Sequence, residues 1–181
     1  MSLTAEECLT LLERYQVPEH IIQHSRVVHR LALSLCRALS GQGEKLNCAR
    51  IEAGSLLHDI AKMQSMKTGE NHSRAGAALL ARLGYPEIAE IVRQHVILDE
   101  GVYQDGITEA EVVHYADKRV QHVMVVSLEE RFKDLKERYG RSPEALAFLD
   151  NLERHSRDLE TRIFQRLPIK PESLDSFSNP E

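Results

Sequence analysis

Apolar residues recur three, four and seven positions apart along most of this chain, the spacing of helices that turn one face to a core. After Pro18, Ile21, Val28, Leu31 and Leu35 share such a face. Gly54, Leu57 and Ala61 share the next, followed by Ala75, Gly76, Leu79 and Leu83. Ile88, Ile91 and Val92 make a fourth stripe, and Val113, Ala116 and Val120 a fifth. Start and stop signals bracket these stripes. Thr4 with Glu7, and Thr108 with Glu111, have capping-box spacing. Asn47, Asn71 and Ser127 can cap helices, and Pro18, Pro86 and Pro143 suit first turns. The predicted helices therefore run from Thr4 to about Tyr15, from Pro18 to the SGQG break at 40–43, and from Asn47 through His58 to near Lys62. Others run from Asn71 to Gly84, from Pro86 to about Ile97, from Thr108 to about Gln121, from Ser127, and from Ser142 to before Pro168. Gly101 and Gly106 mark a loop, MQSMKTGEN at 63–71 reads as another, and VMVV at 123–126 suits either a short strand or a helix-to-helix connection. With no repeat and no shift in composition, the expectation is one all-α domain over residues 1–167, a bundle of about seven or eight helices. The polar segment 168–181 then forms a disordered tail.

Ionisable residues interrupt the apolar stripes. His24, His58, His72, His95 and Asp117 each fall on the inward face of a different helix, and Asp59 sits beside His58. A single inward histidine is ordinarily a core residue bonded to a carbonyl, but a buried carboxylate must be paired or coordinated. Five such positions in one small domain favour a shared partner, because one bound cation satisfies them all. The donors are nitrogen and oxygen with no thiolate, which argues against a closed structural zinc site. They suit one or two divalent ions of Fe, Mn, Co, Ni or catalytic Zn. The remaining histidines serve as controls. His29 and His114 fall on charged faces beside Arg26 and Lys118 and read as solvated, and His20 as an exposed first-turn residue. His122 lies at a helix end, and His155 reads as structural.

Composition narrows the choice of partner. Of 181 residues, 42% are hydrophobic and 28% charged, which fits a globular chain. A net charge of -5 argues against a nucleic-acid polymer, yet leaves room for a small phosphorylated ligand held by a few cations. Cys8, Cys36 and Cys48 form no CxxC pair and read as reduced residues of a cytoplasmic protein. The acidic N-terminus is unlike a signal peptide, and no stretch nears the roughly 18 apolar residues of a membrane span. A monomer or homodimer is expected; the last helix and the segment ERFKDLKERYG could support a dimer, but a solvated charged face is the better reading of that stretch.

The order His24, the doublet His58-Asp59, then Asp117 in HYADKRV resembles the HD superfamily of metal-dependent phosphohydrolases, over about His20 to Arg131. HDIAK with His72 in NHSRAGAALL and His95 in VRQHV is also similar to bacterial HDIG-type proteins. Val96 after His95, and the lack of an Arg in QHVMVV, set the chain apart from the dinucleoside tetraphosphatases of that group. The resemblance implies one metal on His24, His58, Asp59 and Asp117, and a second on His72 and His95 with Asp59 bridging. The implied activity is cleavage of a phosphate ester or anhydride in a small nucleotide-like substrate by a metal-activated hydroxide. Asp59 and Lys62 are then the catalytic candidates, and Lys62, Arg119 and Arg26 the candidate phosphate contacts. The alternative is a non-catalytic, metal-containing module that senses nucleotides or acts as a scaffold.

Overall fold

The computed structural model describes residues 3–99 and 106–178, so Gly101 of the expected loop lies outside it. Local signals set the helix starts. Helix α1 (Ala5–Arg14) opens at Thr4, whose hydroxyl accepts the Glu7 N–H while the Glu7 carboxylate accepts the Thr4 N–H. Helix α2 (Glu19–Gly41) follows Pro18, and α3 (Cys48–Leu57) is capped by Asn47. Then come α4 (Lys62–Thr68), α5 (His72–Arg82), α6 (Pro86–Gln94) and α7 (Glu109–Lys118), the last opened by the Thr108–Glu111 box. A two-residue antiparallel hairpin pairs Val120 with Val125 and Gln121 with Met124. Helix α8 (Leu128–Tyr139), α9 (Pro143–Phe164) and a 3-10 helix at Pro171–Ser178 complete the order. The fold is all-α, with the hairpin its only strands among the described residues.

Two apolar clusters make the core. One gathers α1, the start of α2, α5 and much of α6, and the other gathers the rest of α2 with α7, α8 and α9. On α2 the division falls between Ile22 and Val27, the interval that holds His24. Gly54 lets α3 and α6 cross closely, since a Cβ there would lie 2.6 Å from Cγ2 of Ile91. That distance is well inside van der Waals contact.

Several expectations change. The third helix does not run on to Lys62: it ends at Leu57, and tighter bonds follow, Ile60 N–H to the Leu57 carbonyl and Lys62 N–H to that of Asp59. In an unbroken helix, neighbours point about 100° apart. The turn instead brings His58 and Asp59 to one place, Nε2 and Oδ2 being 3.6 Å apart. Most of the 63–71 segment is helix α4 rather than loop. The VMVV segment contributes the second strand of the hairpin. Of the expected loose tail at 168–181, Pro171–Ser178 form the 3-10 helix, where Leu174 is buried among the residues of the second cluster, and residues 179–181 lie outside the described residues. Cys36 and Cys48 are not reduced but form a disulfide between α2 and the start of α3, a pairing that depends on helix packing rather than on any motif spacing. Cys8 is free and buried. No helix among the described residues is long and apolar enough to cross a membrane.

Candidate metal centre

Six residues meet between the two apolar clusters: His24 of α2, His58 and Asp59 of the turn, His72 opening α5, His95 capping α6, and Asp117 of α7. Backbone carbonyls orient three of the rings. Nδ1 of His24 lies 2.9 Å from the His122 carbonyl, that of His58 2.7 Å from Ser55, and that of His95 2.7 Å from Val92. A carbonyl only accepts, so each Nδ1 carries the proton and each Nε2 offers its lone pair to the interior. Those Nε2 atoms surround the two carboxylates. His24 and His58 lie 3.1 and 3.5 Å from Oδ1 of Asp117. His72 and His95 lie 3.4 and 3.7 Å from Oδ1 of Asp59, and 3.1 Å from each other.

Nε2 of His58 and Oδ1 of Asp59 are buried with no hydrogen-bond partner among the described residues. Buried groups of that kind are costly unless something coordinates them. Two triads, His24–His58–Asp59 and Asp59–His72–His95, each place their ligand atoms within 4.8 Å of one another and share Asp59. These donors fit a divalent metal: neutral imidazole nitrogens with anionic oxygens, and no thiolate.

The electrostatics agree. Burial alone would raise the Asp59 carboxyl, but His58, His95 and Lys62 hold it well below the usual range. Burial is likewise overridden at Asp117, by Lys118, His24 and His58. Burial lowers His72 to about 4 and also lowers His95, so both are neutral and ligand-ready at pH 7. His58 goes the other way, because Asp59 and Asp117 outweigh its burial.

His114 is not solvated. Three residues before Asp117, it is buried with Nδ1 on the His95 carbonyl at 3.0 Å and Nε2 3.5 Å from the Ser156 hydroxyl, and burial lowers it to about 3. His29 is half-buried, facing Glu52 and Ser55. A stability prediction follows for the metal-free protein. Against ordinary values of 6.5, His72 and His114 titrate at about 4 and about 3 when folded. Below pH 6.5 the unfolded chain therefore takes protons that the folded chain refuses, and stability falls on acidification down to those values. His58 opposes this, since its contribution is complete below 6.5 and fades as pH rises through its raised value. His29 and His95, also lowered, leave the balance with the first group. Melting in chelator is expected to give a lower Tm at pH 5 than at pH 7, with a smaller drop in His114→Gln. An equal or higher Tm at pH 5 would contradict it.

The three candidate phosphate contacts separate. Lys62 reaches the cluster, its Nζ 2.6 Å from Oδ2 of Asp59, with a side chain 41% exposed. Arg26 and Arg119 do not reach it. Each lies two residues after a cluster member, His24 or Asp117, and so falls about 200° round the helix on the far side. Arg26 is exposed. Arg119 is buried and donates to the Val126 carbonyl (2.5 Å), the Tyr115 hydroxyl (2.6 Å), Glu160 (3.2 Å) and the Pro171 carbonyl (3.3 Å). These bonds hold its guanidinium in the packing of α7 against the C-terminal elements. Sequence reasoning passed over Lys118, which is buried and holds Oδ2 of Asp117 at 2.7 Å and the His95 carbonyl at 3.2 Å. Its place beside Asp117 in YADK was the available signal. Arg131 was missed as well: it lines the cleft over the cluster, together with α8 and α9 residues.

An all-α fold closing on a histidine–aspartate cluster able to hold metal defines a class, and comparison supplies the family. Residues 21–121 match the HD domain, more than half of the chain, and the protein belongs to that family. HD domains bind divalent metals and are often hydrolytic. A tRNA (cytidine(56)-2'-O)-methyltransferase of Thermoplasma volcanium is 32% identical over 90 residues, which is 49% of this chain and 25% of that protein. This chain thus spans about a quarter of that relative's length. No solved structure gives a significant match.

Proposed function

We propose that this protein is a metal-dependent phosphohydrolase that cleaves a phosphate ester or anhydride in a small nucleotide-like substrate. The observation that carries this is Asp59, buried and shared by two candidate ligand triads, with Oδ1 and the neighbouring His58 Nε2 lacking a hydrogen-bond partner among the described residues. His24, His58, Asp59 and Asp117 would hold one divalent ion, and His72, His95 and Asp59 a second. Such ions, when bound, neutralise phosphoryl oxygens and lower the pKa of water.

The chain's own groups do the rest. The His122, Ser55 and Val92 carbonyls keep the ring nitrogens aimed inward. Lys118 steadies Asp117, and Lys62, at the cleft mouth, is placed to donate to a phosphate oxygen. A net charge of -5 and a cleft of about 290 Å³ favour a small substrate over a polymer such as the relative's tRNA.

Elemental analysis of protein purified without chelator or metal-affinity column tests the proposal, followed by phosphate release from a panel of nucleotides and sugar phosphates. About two equivalents of a transition metal with metal-dependent release is the expected outcome. No metal after reconstitution, or a loaded protein that binds nucleotides without turnover, would overturn it, the latter in favour of a sensing module.

A further inference from the structure

The cleft over the cluster has two unlike walls. One is polar: Asp59, His72, His95 and Asp117. The other is built by α8 and α9, where Leu135, Tyr139, Phe148, Leu149 and Leu152 line the same space. Phe148 is 45% exposed and Tyr139 60% exposed, although the chain has only nine aromatic residues and Tyr115 and Phe132 are fully buried. Arg131, also on α8, lines the same space. Its Nε is buried without a hydrogen-bond partner among the described residues, and its nearest carboxylate contact is a 3.4 Å approach to Asp134.

We infer that this second wall is a nucleobase subsite: Arg131 takes the substrate phosphate, Phe148 and Tyr139 take the aromatic base, and the preferred substrate is a nucleoside monophosphate. The inference rests on the phosphohydrolase reading and names its substrate. A guanidinium whose Nε lacks a partner among the described residues, beside a cluster able to hold metal, suits a phosphate, which accepts charge-assisted hydrogen bonds. Flat aromatic faces a short distance further on suit a base, which stacks, and a bare sugar phosphate would leave them wet. Size sets the number of nucleosides. About 290 Å³ lies just below the roughly 300–1,000 Å³ of small-molecule sites, a size that favours one nucleoside over two. No Asn, Gln, Ser or Thr is among the described residues lining the cleft, so base edges go largely unread and purines and pyrimidines are both accepted. Both helices lie beyond residue 121, outside the stretch that matches the family, so the subsite belongs to this chain's own C-terminal part.

Full-length, metal-loaded protein is titrated by calorimetry with phosphonate analogues of AMP, CMP and ribose 5-phosphate, with hexylphosphonate, and with inorganic phosphate. The expected result is that both nucleotide analogues bind about tenfold or more tighter than the ribose analogue. Phe148→Ala removes that preference without changing affinity for the ribose analogue. Arg131→Ala weakens every probe, inorganic phosphate included, by about tenfold, and Arg131→Lys restores part of it. Circular dichroism verifies folding, and the exposure of Phe148 makes its truncation mild. An unchanged nucleotide-to-ribose ratio in Phe148→Ala overturns the subsite. So does hexylphosphonate binding as tightly as the AMP analogue, which would make the wall an alkyl site. Base preference without phosphate release from AMP supports the subsite and sinks only the hydrolytic reading. Release from ribose 5-phosphate as fast as from AMP does the reverse.

Discussion

Replacing Asp59 by alanine is expected to remove bound metal and phosphate release together, with activity down by about 10³-fold or more. Both carboxylate oxygens are engaged. Oδ1 faces His72 at 3.4 Å and His95 at 3.7 Å, and Oδ2 faces His58 at 3.6 Å and Lys62 at 2.6 Å. Losing this side chain therefore strips both triads, whereas His72→Ala strips one. Metal ions contribute several kcal/mol to transition-state stabilisation, and each 1.36 kcal/mol is a factor of ten in rate. Metal content measured beside phosphate release, for wild type, Asp59→Ala and His72→Ala, checks the ordering. The expected series is about two equivalents, none, and about one. Metal retained at wild-type level in Asp59→Ala would show that the cluster is held some other way.

Arg119→Ala is expected to damage the fold and spare the site. The guanidinium bonds two carbonyls, the Tyr115 hydroxyl and Glu160, tying α7 to the hairpin, to α9 and to the 3-10 helix. Removing one partner of a buried ionic network costs about 3–5 kcal/mol, since the groups left behind stay buried and unpaired. At about 2–4 °C per kcal/mol for a chain of this length, Tm should fall by roughly 10 °C. Phosphate release assayed well below the transition should hardly change. Arg119→Lys should recover only part of the stability, because one ammonium cannot span acceptors set around a planar fork. A phosphate contact would behave oppositely, losing activity at constant Tm.

The contrast between Arg119 and Lys62 shows what a linear pattern conveys. Helix starts were legible because capping is local: Thr4, Asn47, Asn71, Thr108 and Ser127 all act within three residues of themselves. Five of the six cluster residues were legible because each falls on the apolar stripe of a different predicted helix, and Asp59 because it stands beside His58. Depth was not legible. His114 has charged neighbours in sequence, yet Ser156, 42 positions away, closes over it. The turn after Leu57 was hidden because Ile60 and Ala61 continue an apolar pattern while the backbone changes its bonding. Arg131 was invisible for a related reason. Its importance depends on where α8 lies against the cleft, a matter of tertiary packing that no motif spacing encodes.

The partition of the cleft has a consequence for how such a protein can diversify. The ligand triads come from the turn after α3 and from α2, α5 and α6, all inside the shared HD segment, and the facing wall comes from a helical hairpin appended after it. If α8 and α9 select the base as proposed, substitutions in them change what is selected without moving a candidate ligand atom, and grafting residues 128–164 between relatives would transplant selectivity separately from reactivity.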